Sequence, residues 1–450
     1  MLRGSLVAVL LAAPLARAGL EQDIHEKRLA QISDLRTIRG LMTPDDPALL
    51  FRLGELWFEE ARYFLLQNDA AQRDAAAQRA IETLSGLVQE FPRWSRNDEV
   101  LYSLGQGLLD TGDEPRALVA FRRLVDRYPA SPIARDAWFR LGEHFFTRSQ
   151  GRRDWLERAL EAYVQAAADP ASTLHADAIS RQGWCLLNLG DFDGALAHFR
   201  EVAKLGGGRA KDARNDFVLA WVRSGAKPGA ARAALGELTG SADERRALEQ
   251  RLAERYFAGG FDREAAAVWQ ALIQERPRAP EAVAFQVSTI DAVMRAGNKQ
   301  VTVGHVRRLV ELAGQVPGAD LGAAEPLLAR LATAWHQECR KTHEDRCLAY
   351  PSAVYEAYLA LFPATPRAYE LHFYWGELLF ETAEFARAAT QYRAVVDRDV
   401  GCRESRACEP GRFLEAAAFG EVKAREALAD RETSQHGQRP REGARMLAAR

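Results

Sequence analysis

The sequence predicts an all-α solenoid of about nine helix pairs, and three observations carry that expectation. The first is a recurring spacing. In its clearest copy Leu104 and Gly105 are followed by Leu108, then Ala117, Phe121, Leu124 and Pro129. The second is apolar periodicity: where this spacing fades, apolar residues still recur at helical intervals. The third is that no Val/Ile/Thr-rich alternating runs suggest strands. A fixed period of about 34 residues built from paired helices marks a repeat array, which directs the search for function to binding along a surface.

When each unit is numbered so that the Leu-Gly pair takes positions seven and eight, four copies fall in register. The unit from Asp98 (98–131) places Ala117, Phe121 and Pro129 at positions twenty, twenty-four and thirty-two. The unit from Arg246 (246–279) gives Leu252, Ala253, Tyr256, Ala265, Trp269, Leu272 and Pro277. That from Ala176 (176–207) gives Gln182, Gly183, Leu186, Ala195, Phe199 and Val202, and 369–400 gives Trp375, Gly376, Leu379, Ala388, Tyr392 and Val395.

Two further copies carry insertions. Leu53, Gly54 and Trp57 open a unit closed by Ala80, Leu84, Leu87 and Pro92. In 135–171, Trp138, Leu141, Gly142 and Phe145 are closed by Ala159, Tyr163 and Ala166 after the polar stretch Arg148 to Asp154. Both insertions are expected in turns, where the backbone meets solvent. Ala210 to Gly240, Glu281 to Gly314 and Ala323 to Pro363 are degenerate units that keep helical apolar periodicity. The array is expected over residues 46–409. No pair buries its apolar face alone, so neighbours stack into a continuous core.

Residues 1–18 have the pattern of a secretory signal peptide, with Arg3, the apolar run Leu6 to Leu15, and Ala16-Arg17-Ala18 as a cleavage site. An uncleaved N-terminal anchor is the alternative. No Cys follows the apolar run, so a lipid anchor on a mature N-terminal Cys is not expected. The abundance of Arg over Lys, with much Ala, fits a GC-rich bacterial genome, and export there means the periplasm. Ile24, Leu29, Ile32, Leu35 and Ile38 form an amphipathic helix expected to cap the array (19–45) or to enter a short coiled coil with a partner. A second cap is expected over 410–429, from Phe413 to Leu428, and the polar residues 430–450 are expected to be disordered.

Four of the five cysteines lie late in the chain. Cys339 with Cys347, and Cys402 with Cys408, flank short polar stretches. In an oxidising compartment these spacings suggest disulfides, local pairing being the simplest of three arrangements. His336, Cys339, His343 and Cys347 offer a zinc alternative, which the export signal disfavours, so no metal or other cofactor is expected. Cys185, beside Trp184, is expected to be a packed thiol.

Enzyme signatures are absent. Gly105-x-Gly107 lacks the third glycine and the preceding strand of a dinucleotide site; Gly225 to Gly229 lacks phosphate-loop spacing; His343-Glu344 lacks the second His of a metalloprotease helix. No nucleophile elbow is present. With 60 Lys plus Arg, 62 Asp plus Glu and a formal net charge of −2, interspersed along the chain, nucleic acid is not an expected partner.

The Leu-Gly, Ala, aromatic and Pro spacing resembles the tetratricopeptide repeat, a helix-turn-helix unit whose arrays form right-handed superhelices. In that family the first helix of each unit lines a concave groove through positions two, five, nine and twelve. Carried onto this chain, the resemblance implies partner-binding residues Phe51, Glu55 and Phe58 in the first unit, and Tyr102, Gln106 and Leu109 in the second. Phe139, Glu143 and Phe146 follow in the third, and Trp184 and Leu187 in the fourth. Gln250, Glu254 and Phe257 stand in the sixth, and Phe373, Glu377 and Phe380 in the ninth. Such a groove is acidic and aromatic: rings supply contact area, and Glu between them selects Arg or Lys on the ligand. The Phe residues at position twelve have a second reading as packing against the next repeat.

The order of units, their aromatic-rich openings and the late cysteine pairs also resemble exported repeat proteins of myxobacteria, some of them parts of gliding-motility machinery. That resemblance implies a non-enzymatic periplasmic scaffold binding envelope proteins or peptides with basic and apolar residues, with peripheral outer-membrane association among its expectations. Adaptors of cell division and outer-membrane biogenesis are the alternative, and an envelope enzyme on a repeat chassis a further one.

Overall fold

The computed structural model describes residues 4–41, 46–342, 348–405 and 411–447. Every regular element of the described residues is helical. A long first helix, α1 (Gly4–Leu41), precedes α2 (Pro47–Leu66) and α3 (Ala70–Glu90), α4 (Asn97–Asp110) and α5 (Glu114–Arg127), α6 (Ala134–Arg148) and α7 (Arg153–Ala166), and α8 (His175–Leu189) and α9 (Phe192–Leu205). There follow α10 (Ala210–Arg223) and α11 (Pro228–Gly236), α12 (Ala242–Ala258) and α13 (Asp262–Glu275), α14 (Glu281–Arg295) and α15 (Lys299–Gln315), α16 (Ala324–Thr342) and α17 (Ala349–Leu361), and α18 (Pro366–Glu381) and α19 (Phe385–Ser405). α20 (Leu414–Leu447) closes the series. The consecutive pairs from α2/α3 to α18/α19 reproduce the units expected from the sequence, the degenerate ones included, and the fold is an all-α solenoid. The chain divides into two compact units, Met1–Ala220 and Trp221–Arg450.

The register has a direct physical cause. A side chain placed on Gly105 would meet the Phe121 ring at 2.5 Å, on Gly142 the Tyr163 ring at 2.6 Å, on Gly183 the Phe199 ring at 2.7 Å, and on Gly376 the Tyr392 ring at 2.8 Å. Position eight is therefore where the ring at position twenty-four lies against the backbone of the first helix. Those rings are buried to 0–1% exposure. Small residues at position twenty, Ala117, Ala159, Ala195, Ala265 and Ala388, are all fully buried, so the second helix can approach closely. In the sixth unit Ala253 takes the glycine's position and Trp269 the ring's, and both are buried.

Turns between paired helices are equally regular. Position fifteen adopts positive φ in Gly112 (86°), Gly190 (86°) and Gly260 (78°), and in the ninth unit the same place is filled by Ala383 at 56°. Two of these second helices open on side-chain caps: Asp113 accepts from the Arg116 N–H and Asp191 from the Gly194 N–H, satisfying amide groups the helix leaves orphaned.

Three differences from the sequence reading have clear causes. The first insertion does not loop out: only residues 67–69 separate α2 from α3, and the added residues lengthen both helices. The Ala- and Gln-rich stretch is a good helix former, and Asp69 caps α3 by accepting from the Gln72 N–H. The N-terminal segment expected as leader and cap is, from Gly4 onward, one helix. Beyond Asp430, where disorder was expected, the backbone is helical to Leu447, as its Glu, Arg, Gln and Ala content allows.

Candidate functional site

First helices present the residues that the groove expectation named, and each unit is taken by itself. Within the N-terminal unit, Phe51 and Phe58 are not available to a ligand: they are 4% and 2% exposed. Phe58 lies where a Gly107 side chain would stand, at 2.4 Å, so it packs on the neighbouring repeat. Glu55 is half-buried and accepts from Arg52 at 3.3 Å. Tyr102 and Gln106, also half-buried, form a pair in which the Gln106 amide donates to the Tyr102 hydroxyl at 3.1 Å.

Phe139, Glu143 and Phe146 come together on α6, but Glu143 is engaged from two sides. The hydroxyl of the buried Tyr163 donates to it at 2.6 Å, and Arg181 of the next repeat pairs with it at 2.7 Å. Arg181 also lies 5.7 Å over the Phe146 ring. Burial, followed by the bond to the Glu143 carboxylate, raises the Tyr163 hydroxyl far above the ordinary tyrosine range. Trp184 turns its indole N–H to Asp216 at 3.1 Å.

The C-terminal unit repeats the theme. Tyr392 donates to Glu377 at 2.6 Å, and burial is again the leading cause of the raised hydroxyl. Phe373 stacks on Phe413 with ring centroids 4.3 Å apart, and Phe380 meets Phe385 edge-on. Glu254 is the exposed carboxylate of the set, accepting only from Gln250 at 2.9 Å among the described residues. Beside it Phe257 is half-buried against Trp269, with Arg295 stacked 3.9 Å over its face.

The expected groove thus contains two kinds of glutamate. Glu143 and Glu377 are internal acceptors for the tyrosine at position twenty-four; Glu55 and Glu254, in units with Leu84 or Trp269 at that position, face outward. A signal was present in the sequence: both units with Tyr at position twenty-four carry Glu at position nine, whereas Phe121 and Phe199 stand with Gln106 and Trp184. The partners Arg181, Asp216, Arg295 and Phe413 were missed because they come from outside the helix they contact.

Cys339 and Cys402 are buried, and Cys185 is a free buried thiol whose pKa burial pushes up to about 12. Cys347, Cys408 and His343 lie outside the described residues. His336 accepts from, or donates to, the Tyr355 hydroxyl at 3.1 Å, and desolvation lowers its pKa to about 4. Among the described residues no group of His, Cys, Asp or Glu is arranged to hold a metal ion, and no helix is long and apolar enough to cross a membrane.

Comparison with known proteins agrees with this architecture. Residues 102–172, 151–210 and 180–245 match the tetratricopeptide repeat family model. No curated protein matches the chain. Among solved structures, the chain is similar to the C-terminal part of a tetratricopeptide repeat-containing protein from Cytophaga hutchinsonii (15% identity, 58% of this chain and 95% of that one, TM-score 0.37). It is also similar to a tetratricopeptide repeat protein from Parabacteroides merdae (14% identity, 82% and 98%, TM-score 0.28). A third likeness is to PilW, a type IV pilus biogenesis factor (16% identity, 51% and 96%, TM-score 0.30). The tetratricopeptide repeat match is thus confined to residues 102–245 of the chain.

Proposed function

We propose that this protein is a non-enzymatic periplasmic scaffold whose first-helix faces hold basic, apolar segments of envelope proteins, in assemblies such as those of gliding motility. The observation that carries the reading is the outward carboxylate of Glu254 beside the half-buried ring of Phe257. A basic side chain would pair with the carboxylate while apolar neighbours cover the ring. Glu143 and Glu377 are poor places to test it, because replacing either strands a buried tyrosine hydroxyl. The test is Glu254→Lys with Glu55→Lys, read by in-cell photo-crosslinking from position 257 and mass spectrometry. The expected result is an envelope protein crosslinked through a Lys- or Arg-containing segment and lost in the double variant. Recovery of the same crosslinks in the variant, or of cytoplasmic proteins alone, overturns the reading.

Export gives a second, independent test. Neither Cys339 nor Cys402 is a free thiol in the structure, which supports disulfides formed in an oxidising compartment. Alkylation of the protein taken from cells and denatured without reductant should modify Cys185 alone. Modification of the four late cysteines as well would rule out an oxidised, exported state.

A further inference from the structure

A cleft of about 530 Å³ opens between α5 and α6, away from the groove residues of α6. Its floor is apolar: Leu118, Val119, Leu141 and Phe145 line it, and Val119 is 68% exposed, an unusual degree for a β-branched apolar residue beside other apolar surface. Its rim is charged and mainly basic: Arg122, Arg123 and Arg127, with Asp126 and His144 among them. The charged neighbours are mostly satisfied within the chain. Arg122 pairs with Asp126 at 3.0 Å, Arg116 pairs with Asp113, and His144 binds Glu114 at 2.6 Å, with Arg148 also on Glu114. Arg123 and Arg127 also line the cleft, and no carboxylate of the described residues pairs with either.

Arg123 and Arg127 stand four residues apart on one helix, a spacing at which like charges repel. The helix C-terminus offsets part of this for Arg127, which lies in the last turn, but not for Arg123. Two unspent guanidiniums beside an apolar floor of this volume match a ligand that carries carboxylates next to a bulky apolar side chain.

We propose that the α5–α6 cleft is a second docking site, which takes an acidic segment of a protein partner with an apolar side chain seated on Val119 and Phe145. It is opposite in charge preference to the site at Glu254, so the array holds two partners of different chemistry.

The test uses the full chain and a fluorescein-labelled peptide of alternating Glu and Leu, followed by fluorescence anisotropy. Binding is expected, weakened about tenfold or more by Arg123→Glu with Arg127→Glu, as for a charge pair at a docking surface. Val119→Asp should weaken it comparably, while circular-dichroism melting stays unchanged for both variants. A matched poly-Glu peptide without Leu should bind much more weakly, and a Lys–Leu peptide should not be affected by the arginine changes. The proposal is overturned by any of four results: no binding of the Glu–Leu peptide, equal binding of poly-Glu, unchanged affinity in the charge-reversed variant, or arginine-dependent binding of phosphatidylglycerol vesicles without peptide binding. If the variants unfold, Arg123→Gln with Arg127→Gln carries the same expectations through loss of charge alone.

Discussion

At the scale of single residues, the repeat is a set of close approaches between a glycine and a ring. Gly142 sits under Tyr163 with no room for a methyl group, whereas Gly86, within α3, has nothing within 4 Å of where a side chain would begin. The same substitution should therefore have opposite signs. Gly86→Ala should stabilise by up to about 1 kcal/mol through helix propensity. Gly142→Ala should destabilise by about 1–3 kcal/mol through overpacking. Thermal melts of the two variants decide this, and a rise for both would refute the packing account of position eight. Ala383 supplies a mirror case: an L-residue held at φ 56° where other units use glycine. Ala383→Gly should raise stability by about 1 kcal/mol, since the left-handed conformation is strained for a residue with a Cβ. His336 gives a pH signature. Its pKa is depressed from 6.5 to about 4 by burial, so the unfolded chain binds the extra proton first. Stability is complete above pH 6.5 and is lost as pH falls towards 4, by up to a few kcal/mol. His336→Gln should flatten that slope in denaturant titrations at pH 7 and pH 5.

At the scale of elements, α1 is held by charge as much as by apolar contact. Glu60 of α2 is fully buried, and the Arg28 guanidinium donates to it at 2.8 Å while also reaching Glu59 at 3.1 Å. His25 stacks on Tyr63 with centroids 4.1 Å apart, and Ile32 is buried in the same core. Removing one partner of a buried ion pair leaves an uncompensated charge, at a cost of about 3–5 kcal/mol. Arg28→Ala should therefore release α1 before the rest unfolds, giving trypsin cleavage near Arg36 and Arg39 under conditions where the parent chain resists. Equal protease resistance would show that the apolar face alone retains the helix. The periodicity of Ile24 to Ile38 made this helix legible in the sequence; its ionic anchor was not, because Arg28 and Glu60 lie in different helices and nothing local marks either as paired.

At the scale of the whole chain, the sequence legible at one period was enough to place the helix pairs. In a repeat array each pair contacts mainly its neighbours, so local spacing carries most of the fold information. That is why even the degenerate stretches 210–240 and 281–314 were readable from apolar spacing alone. The candidate site was legible only in outline. Position within a repeat says which helix face a residue occupies, but not whether a tyrosine from the second helix or an arginine from the next unit has already engaged it. Phe51, Phe58, Glu143 and Glu377 all occupy groove positions in the register, and all four are spent on the array itself. Glu55 and Glu254 occupy the same positions and are not.

The sequence by itself determined the helix pairs, their register and the small-residue contacts, because those follow from spacing within about one repeat length. Only the tertiary structure decided which carboxylates and rings remain for a partner. It also decided that two arginines border an apolar cleft between α5 and α6. Such properties depend on side chains brought together from separate helices, where burial and pairing, not position in the repeat, set what is free to bind.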